Sequence, residues 1–329
     1  MKLGIIGCGL IGYKRADSIQ TEDTILMCCD IQPELAGLFS KKYNCESTLD
    51  WKNVIANKDL DAVIIATTHN NLAEITLEAI KNKKHVLVEK PAARNSDELE
   101  PVANEYRKTL SADKIVVKVG FNHRFHPAML KAKEIIDSRE MGELMFIRGR
   151  YGHGGRIGYE KEWRAIPEIS GGGELLDQGM HLIDLSRWYM GDFSKVHGIA
   201  KTYFWDMQVD DNAFMLLETE RGQVAQLHVT WTEWKNLFSL EIYGKNAKLH
   251  IEGLGGSYGT ERIAYYKMKP EMGPPETAIF EYPGADVSWK NEWLNFKNAV
   301  LQKEAVIGDI LDGYEALKIV KAIYAGNTR

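Results

Sequence analysis

The stretch Lys2–Gly12, KLGIIGCGLIG, decides the fold, because it joins an apolar run to a Gly-x-Gly-x-x-Gly pattern. The run up to Gly7 has the nearly continuous apolar character of a buried parallel strand. After such a strand, Gly7 permits a tight turn, Gly9 lets the backbone approach a pyrophosphate, and Gly12 brings the next helix close to the sheet. The stretch therefore predicts a phosphate-binding loop, with a strand and turn that bind no ligand as the alternative.

The helix that starts in this loop offers free backbone N–H groups and partial positive charge to a phosphate. We therefore expect a dinucleotide to contact the loop and the first helical turn, at Gly7, Gly9, Leu10, Ile11 and Gly12.

The next hundred residues repeat the alternation of apolar strands and helical segments. Further strands are predicted at Thr24–Asp30, Asp61–Thr67, His85–Glu89 and Lys114–Gly120. Helices are predicted around Ile11–Ser18, Pro33–Tyr43, Leu72–Lys81 and Ser96–Lys108. This alternation predicts a doubly wound α/β domain with a parallel Rossmann sheet over residues 1–121, with its ligand at the carboxyl ends of the strands.

Asp30 ends the second predicted strand and bears on the choice of cofactor. Its carboxylate can accept hydrogen bonds from both hydroxyls of an adenosine ribose, and it would repel a 2′-phosphate. The residues that follow are Ile31 and Gln32, so no Arg or Ser is present to receive such a phosphate. We predict NAD rather than NADP, with Asp30 and Ile31 near its adenosine.

A second α/β domain is predicted over residues 122–329. A helix is expected from about His126 to Ser138, and then strands become more frequent. The strands are predicted at Ala213–Thr219, Gln223–Trp231, Phe238–Tyr243 and Ala247–Glu252, joined by short turns as an antiparallel meander. Helical periodicity returns at Trp293–Leu301 and Leu311–Ala325, and this C-terminal helix is one that can pack back on the first domain.

The tripeptide Glu89-Lys90-Pro91 ends a predicted buried strand. That position would place Lys90, with Glu89, at the carboxyl edge of the sheet, beside the nicotinamide end of a dinucleotide. Pro91 restricts Lys90 to an extended backbone, and a cis bond here would direct the side chain into the crevice. A solvated surface lysine is the alternative, and the end of a buried strand argues against it.

Residues 171–185, GGGELLDQGMHLIDL, place Asp177, His181 and Asp184 at i, i+4 and i+7, on one face of a helix. Two carboxylates and an imidazole can bind a metal, transfer protons, or form hydrogen bonds in a core. No second ligand pair such as HExxH is present, so we expect no metal. Asp184 is assigned a supporting role, bonded to the backbone or to Arg187, and the preceding glycines would let the chain pass close to cofactor or substrate.

Five segments in order, GCGLIG, VEKPAA, GFNHRF, EWR and GGGELLDQGMHLIDL, together resemble the Gfo/Idh/MocA family. This is the glucose–fructose oxidoreductase, inositol dehydrogenase and rhizopine-catabolism group, and the resemblance extends over the whole chain. It implies a Rossmann domain followed by a substrate-binding α/β domain with an open, mostly antiparallel sheet, through which such proteins form homodimers or homotetramers. It also implies that Lys90, Asp177 and His181 form the catalytic set.

The chemistry of these side chains agrees with that set. Transfer of a hydride from a carbinol carbon requires removal of the hydroxyl proton, and a neutral imidazole with an ordinary pKa of about 6.5 suits this task. Lys90 can donate a hydrogen bond to the developing alkoxide and to a ribose hydroxyl. Asp177 can orient the substrate or tune the base.

Further site residues are expected around these motifs. Asn122 and the pair Trp163 and Arg164, which resembles the family's WR pair, are predicted to contact the cofactor, with interdomain packing as the alternative. The polar, glycine-rich loop 151–156 and the domain boundary supply the expected substrate contacts: Arg124, His153, Arg156 and Tyr159. For Arg124, interdomain packing is again the alternative.

The chain departs from the family after its fourth predicted strand. The family commonly has Thr-Pro there, with a histidine four residues after the proline, whereas this sequence has Thr68 and Leu72 at those positions. Thr67, His69 or Asn70 are the candidates to take over the cofactor contacts.

Composition limits the remaining functions. The 329 residues carry a net charge of -5 without blocks of one sign, which argues against a nucleic-acid partner. No run is apolar and long enough to span a bilayer, and the apolar N-terminus lacks the cleavage site of a signal peptide. Four cysteines without a metal-type spacing fit reduced thiols in the cytoplasm.

We therefore expect an NAD-dependent dehydrogenase that oxidises a secondary hydroxyl of a sugar, sugar nucleotide or cyclic polyol. A redox-neutral glycosidase of the same family and a non-catalytic dinucleotide-binding regulator are the alternatives. Retention of Lys90, Asp177 and His181 argues against the regulator.

Overall fold

The computed structural model describes residues 1–112, 114–271 and 273–326. The chain divides into two compact units. The first comprises residues 1–121, 168–171 and 289–317, and the second comprises 122–167, 172–288 and the residues from 318 onward. Residues 327–329, which the predicted second domain includes, lie outside the described residues. Within the described ranges, no helix has both the length and the hydropathy needed to cross a membrane.

A parallel sheet built from short apolar runs forms the centre of the first unit. Its strands are β1 (Lys2–Ile6), β2 (Thr24–Cys29), β3 (Glu46–Thr48), β4 (Ala62–Ile65), β5 (His85–Val88) and β6 (Val117–Val119). The six strands pair in the order β3-β2-β1-β4-β5-β6. The strand order reverses beside β1, at the point where the glycine loop begins, and this is where doubly wound sheets bind ligands. The predicted Rossmann fold is confirmed, and β3 is a strand that the sequence pattern did not predict.

Helices connect consecutive strands of this sheet. They are α1 (Leu10–Asp17), α2 (Pro33–Tyr43), α3 (Trp51–Ala56), α4 (His69–Lys81) and α5 (Ser96–Ala112). Pro33 begins α2, where its missing N–H has no helical partner to lose. Asp50 caps α3, because its carboxylate accepts the Lys52 N–H at 3.0 Å.

The second unit contains a larger, mixed sheet. Its strands are β7 (Leu144–Gly152), β8 (Phe193–Lys201), β9 (Asn212–Thr219), β10 (Val224–Thr230), β11 (Leu237–Gly244), β12 (Ala247–Glu252), β13 (Glu261–Lys267) and β14 (Glu276–Tyr282). The order is β14-β13-β12-β11-β7-β10-β9-β8. The open, mostly antiparallel sheet is confirmed.

The predicted uninterrupted meander is wrong at one place. β7 lies between β10 and β11, and it pairs with β10 in parallel and with β11 antiparallel. β7 occupies the centre of the sheet, on the face that packs against α8. Ile147 is buried there, and a side chain at Gly149 would contact Leu182 of the helix.

The remaining helices are α6 (Pro127–Asp137), α7 (Pro167–Ser170), α8 (Met180–Met190), α9 (Ser288–Val300) and α10 (Ile310–Gly326). α9 completes the core of the first unit, since Trp293 and Phe296 are 2% and 0% exposed and pack with Ile5 and Leu87. The first unit is thus assembled from distant parts of the chain.

Candidate active site

The glycine loop after β1 has the close contacts that its pattern predicts. Gly7 has φ +101°, and a Cβ there would lie 2.4 Å from the Ala66 carbonyl oxygen. A Cβ on Gly12 would lie 2.0 Å from the Gly7 carbonyl oxygen. Gly9 is different, because it precedes α1 with nothing within 4 Å of its Cβ position. The fold itself requires Gly7 and Gly12, whereas Gly9 leaves open space at the start of the helix.

Asp30 is tied to this loop. Its carboxylate accepts the Cys8 N–H at 2.8 Å and the Gln32 N–H at 2.9 Å. Leu10 and Ile31, both predicted to contact the cofactor, are exposed by 74% and 82%. These contacts place the Asp30 carboxylate at the carboxyl ends of β1 and β2.

The segment that departs from the family pattern begins α4. Thr68 precedes the helix, and its hydroxyl donates to Asn70 Oδ1 at 2.7 Å. His69 is buried, and its Nδ1 lies 2.8 Å from the Ser170 carbonyl oxygen. Thr67 is half-buried and Asn70 is exposed. Of the three candidates for the cofactor contact, His69 thus already has one ring nitrogen hydrogen-bonded to a backbone carbonyl of its own unit.

The segment after β5 carries a cis peptide between Lys90 and Pro91. Directly before it, buried Glu89 accepts a hydrogen bond from Arg15 Nε at 2.5 Å. Arg15 also donates through Nη1 to Glu292 of α9 at 2.5 Å. Burial raises the pKa of Glu89, and the Arg15 cation opposes that shift.

Lys118 extends this cluster in the first unit. It is 0% exposed, its Nζ lies 3.9 Å from Glu292 Oε1, and it donates to the Ile307 carbonyl. Two cations and two carboxylates, Arg15, Lys118, Glu89 and Glu292, therefore form one buried charge cluster. It links α1, which starts at the glycine loop, to the residue that precedes Lys90.

The segment Gly171–Leu185 does not form one regular helix. Leu175–Gly179 make a π-helical turn, and α8 follows from Met180. The wider turn interrupts the regular face that the i, i+4, i+7 spacing predicts, and π turns are frequent at functional sites. Asp177 lies in the π turn and His181 in the first turn of α8.

Asp210 fixes the start of the π turn. Its buried carboxylate accepts the N–H groups of Gly173 at 3.0 Å and Leu175 at 2.8 Å, and the Tyr324 hydroxyl at 2.6 Å. A Cβ on Gly173 would lie 1.9 Å from the Asp210 carbonyl oxygen. Burial raises the pKa of Asp210, and these donors oppose the shift. Gly173 is therefore required for a close approach to the protein's own backbone.

Asp210→Ala is expected to lower the free energy of unfolding by about 3 kcal/mol, since it leaves buried N–H groups without an acceptor. Urea denaturation measures this change. Asp206→Ala is the matched control, because Asp206 is exposed in the same segment. Equal stability of the two variants would show that the carboxylate does not hold the turn.

Asp177 belongs to a polar group in the second unit. Its carboxylate lies 3.6 Å from Arg164 Nε, and the Arg164 guanidinium is 4.6 Å from the centroid of the Trp163 ring. Burial lowers the pKa of His153, while Asp177 opposes that shift and Arg164 adds to it. Trp163, Arg164 and His153 are thus brought together around Asp177.

Two other predicted substrate contacts lie beside this group. Tyr159 is 4% exposed, and its ring packs edge-on against Trp231 with centroids 4.9 Å apart. Arg156 is largely exposed and pairs with Glu162 at 2.5 Å. At least one side of the Tyr159 ring therefore packs against the protein itself, whereas the Arg156 guanidinium is accessible to solvent.

Arg124 has a structural partner that the sequence did not indicate. Its Nε and Nη2 donate to the two oxygens of Asp184 at 2.8 and 2.6 Å, and both side chains are buried. Arg187 donates to Asp192. The supporting role expected for Asp184 thus involves Arg124 across 60 residues of sequence, through a bidentate pair. A substrate contact by Arg124 stays a prediction.

His123 is a residue to which the sequence analysis gave no role. Its ring stacks on His181, with centroids 3.7 Å apart and an angle of 24° between the planes. Its nitrogens contact the Asn122 Oδ1 and the Tyr151 hydroxyl, each at 3.2 Å. Asn122, predicted to contact the cofactor, is itself buried and donates to Ser288 Oγ at 3.0 Å. The position of His123 inside GFNHRF, between two named candidates, is the signal that could have identified it.

Across the described ranges, no group of three or more His, Cys, Asp or Glu side chains is arranged to hold a metal ion.

Comparison with known proteins identifies the family. Residues 1–117 match the model described as "Oxidoreductase family, NAD-binding Rossmann fold", and residues 129–250 match the "GFO/IDH/MocA C-terminal domain". The chain belongs to the Gfo/Idh/MocA family. This member is an NAD-binding oxidoreductase, as its sequence predicted.

Several relatives of this Gfo/Idh/MocA protein are named as dehydrogenases of levoglucosan or inositol. It is 32% identical to a levoglucosan dehydrogenase of Pseudarthrobacter phenanthrenivorans over 59% of this chain and 49% of that protein. The match therefore spans about half the length of that relative. An inositol 2-dehydrogenase 2 of Saccharopolyspora erythraea is 26% identical, over 98% of this chain and 91% of that protein.

Solved structures support the fold. A levoglucosan dehydrogenase in complex with NADH and levoglucosan superposes with a TM-score of 0.87 at 23% identity, covering 100% of this chain and 97% of that one. The WlbA dehydrogenase of Bordetella pertussis, in complex with NADH and UDP-GlcNAcA, gives 0.83 at 18% identity, with coverage of 100% and 95%.

Proposed function

We propose that this family member is an NAD-dependent dehydrogenase that oxidises a secondary hydroxyl of a sugar, sugar nucleotide or cyclic polyol. The observation that carries the proposal is the pairing of an NAD-binding unit with a second unit in which a buried imidazole, His181, follows a carboxylate, Asp177, by four residues. The substrates in the names of its relatives, levoglucosan and inositol, support this substrate class.

The residues of the first unit fit NAD. The open space at Gly9 allows a pyrophosphate to reach the N-terminus of α1, and the Asp30 carboxylate is held at the neighbouring strand end. We propose contacts from Gly7 through Gly12, from Asp30 and Ile31, and from Thr67 or Asn70. Bound NAD would supply the hydride acceptor.

We assign three roles to the chain's own residues. His181 takes the hydroxyl proton of the substrate as its carbinol C–H bond is broken, which leaves a ketone and a protonated imidazole. Lys90 donates a hydrogen bond to the oxygen on which negative charge develops. Asp177, paired with Arg164, orients the substrate hydroxyl, and the nearby His153 and Arg156 are proposed to bind other hydroxyls.

Asp30→Ala is expected to raise the KM for NAD about 10-fold or more, since two ribose hydroxyls lose a charged acceptor. The KM for NADP should rise less or fall, because the repulsion of the 2′-phosphate is removed. Initial rates at varied concentrations of each cofactor give the two KM values and their ratio. Asp59→Ala, at an exposed aspartate of the same unit, is the control. An unchanged NAD to NADP ratio would contradict the role of Asp30.

The direct test mixes the purified protein with NAD and pooled sugars, polyols and sugar nucleotides, and follows the near-ultraviolet absorbance of NADH. Formation of NADH with one pool supports the dehydrogenase and begins to identify its substrate. Release of free sugar from glycosides without net NADH would instead establish the redox-neutral glycosidase.

We further propose that a second copy of the chain covers the open face of the large sheet. Ile199, Phe214 and Leu216 are exposed there by 52%, 43% and 49%, on paired positions of β8 and β9. A cavity of about 750 Å³ lies on this face, lined by strand residues that include none of the proposed catalytic groups. Light scattering of the purified chain tests this, and a monomer at micromolar concentration would overturn it.

A further inference from the structure

The proposed base, His181, has a second imidazole against its ring. His123 comes from the short turn Asn122–Phe125, and His181 from α8. The rings are stacked at 3.7 Å and both residues are buried, at 6% and 5% exposure. Two stacked imidazolium ions at this distance would repel strongly in a poorly solvated position, so protonation of one ring disfavours protonation of the other.

The hydrogen bonds of His123 fit the neutral form. Asn122 donates its amide N–H to Ser288 Oγ, which directs its Oδ1 toward His123 Nδ1. Nδ1 therefore carries the hydrogen and donates it. The Tyr151 hydroxyl lies 3.2 Å from Nε2, and burial raises the pKa of Tyr151 well above its ordinary value, so this phenol keeps its proton. Tyr151 also shares a hydrogen bond with Tyr258, whose oxygen accepts from Gln178, so Tyr258 can donate to Tyr151 while Tyr151 donates to Nε2.

When His181 accepts a proton and becomes an imidazolium cation, the face of the neutral His123 ring lies against it. A cation over an aromatic face is attracted by the ring's electron density. We infer that His123 is a positioning residue, held as the neutral Nδ1–H imidazole by Asn122 and Tyr151, which supports the ring of His181 and stabilises its protonated form during turnover. This inference rests on the proposed function of His181.

Other titratable groups of the second unit surround this pair. The turn that carries His123 also carries Arg124, and α8 carries Asp184, which binds Arg124. Asp177 precedes His181 in the π turn. Behind His123 lies His126, with ring centroids 5.5 Å apart, and His126 is paired with Glu261 at 2.8 Å. Arg124 and Asp184 neutralise each other. The Tyr151 ring lies 6.4 Å from the His181 ring, and Tyr258 and Glu174 act electrostatically on Tyr151. The ring of His123 is the one that stacks on His181.

The tautomer can be measured without any substrate. Two-bond ¹H–¹⁵N spectra of the full chain, labelled on its nine histidines, distinguish Nδ1–H, Nε2–H and doubly protonated rings. His123→Phe and His181→Ala spectra assign the two signals. We expect His123 to remain the neutral Nδ1–H form from pH 6 to 9. Protonation of His123 within that range, or an Nε2–H ring, overturns the inference.

Kinetics then test the effect on His181. In His123→Leu, loss of the π face should lower kcat about 2- to 30-fold with little change in KM, and move the acidic limb of the kcat–pH profile to lower pH. His123→Phe, which keeps an aromatic face, should restore the position of the limb. A shift to higher pH would show a cationic His123, and an unshifted limb would show packing alone; either result overturns the inference.

The two arms separate this inference from the proposed function. If His181→Ala remains active, the role of His181 as base is wrong, and the kinetic effect expected for His123 falls with it. The spectra still determine whether His123 is held as a neutral ring.

Discussion

His181→Ala is expected to lower kcat by about 10²- to 10⁴-fold, because the substrate hydroxyl loses the group that takes its proton. NAD affinity should stay nearly unchanged, since His181 is not among the proposed cofactor contacts, and the contacts to the pyrophosphate and the adenosine come from Gly7 through Gly12, Asp30 and Ile31 of the first unit. Steady-state rates give kcat, and the quenching of tryptophan fluorescence on titration with NAD gives the affinity.

The matched control is His250→Ala, another histidine of the second unit. It lies half-buried on β12, two strands from β7 in the sheet order, and contacts Ser239 at 3.0 Å. We expect this variant to keep wild-type kcat. Equal losses of turnover and NAD affinity in His181→Ala would contradict its role as base and indicate a general structural defect.

Arg15→Leu is expected to lower the free energy of unfolding by roughly 3–5 kcal/mol, because it leaves Glu89 and Glu292 buried without their shared cation. Denaturation by urea, followed by circular dichroism, measures this loss. NAD binding should weaken as well, since Arg15 belongs to the helix that starts at the glycine loop.

Lys14→Leu is the matched control for this change. Lys14 is exposed and lies 5.2 Å from the Trp289 ring that Arg15 also contacts, at 4.5 Å. The quadruple variant Arg15→Met, Lys118→Met, Glu89→Gln, Glu292→Gln should recover part of the stability, because it removes all four buried charges together. A similar small loss in Arg15→Leu and Lys14→Leu would show that the buried cluster contributes little.

The parts of the fold that the sequence predicted are those with local signals. β1, β2, β4 and β5 are nearly continuous apolar runs, and the glycine loop has a fixed spacing, so their positions follow from neighbouring residues. The NAD cofactor follows from the same local pattern and is confirmed. The roles of Lys90, Asp177 and His181 remain predictions.

What the sequence did not show depends on distant partners. Arg15 appears as a helical surface residue until α9 brings Glu292 to it, 277 positions later. β7 pairs with β10 and β11, which come much later in the chain, and no local pattern encodes that pairing. The π turn is invisible for a related reason: its stability comes from Asp210, which is 37 positions away from Gly173.

The return of the chain to the first unit has a consequence for how the protein is made. A ribosome that has released residue 121 has delivered every strand of the parallel sheet, but Glu292, Trp293 and Phe296 arrive only with residues 289–317. At 5–20 residues per second, synthesis from residue 121 to residue 317 takes roughly 10–40 s. During that interval the ion pair between Arg15 and Glu292 cannot form, and the nucleotide-binding unit is completed only as translation nears its end.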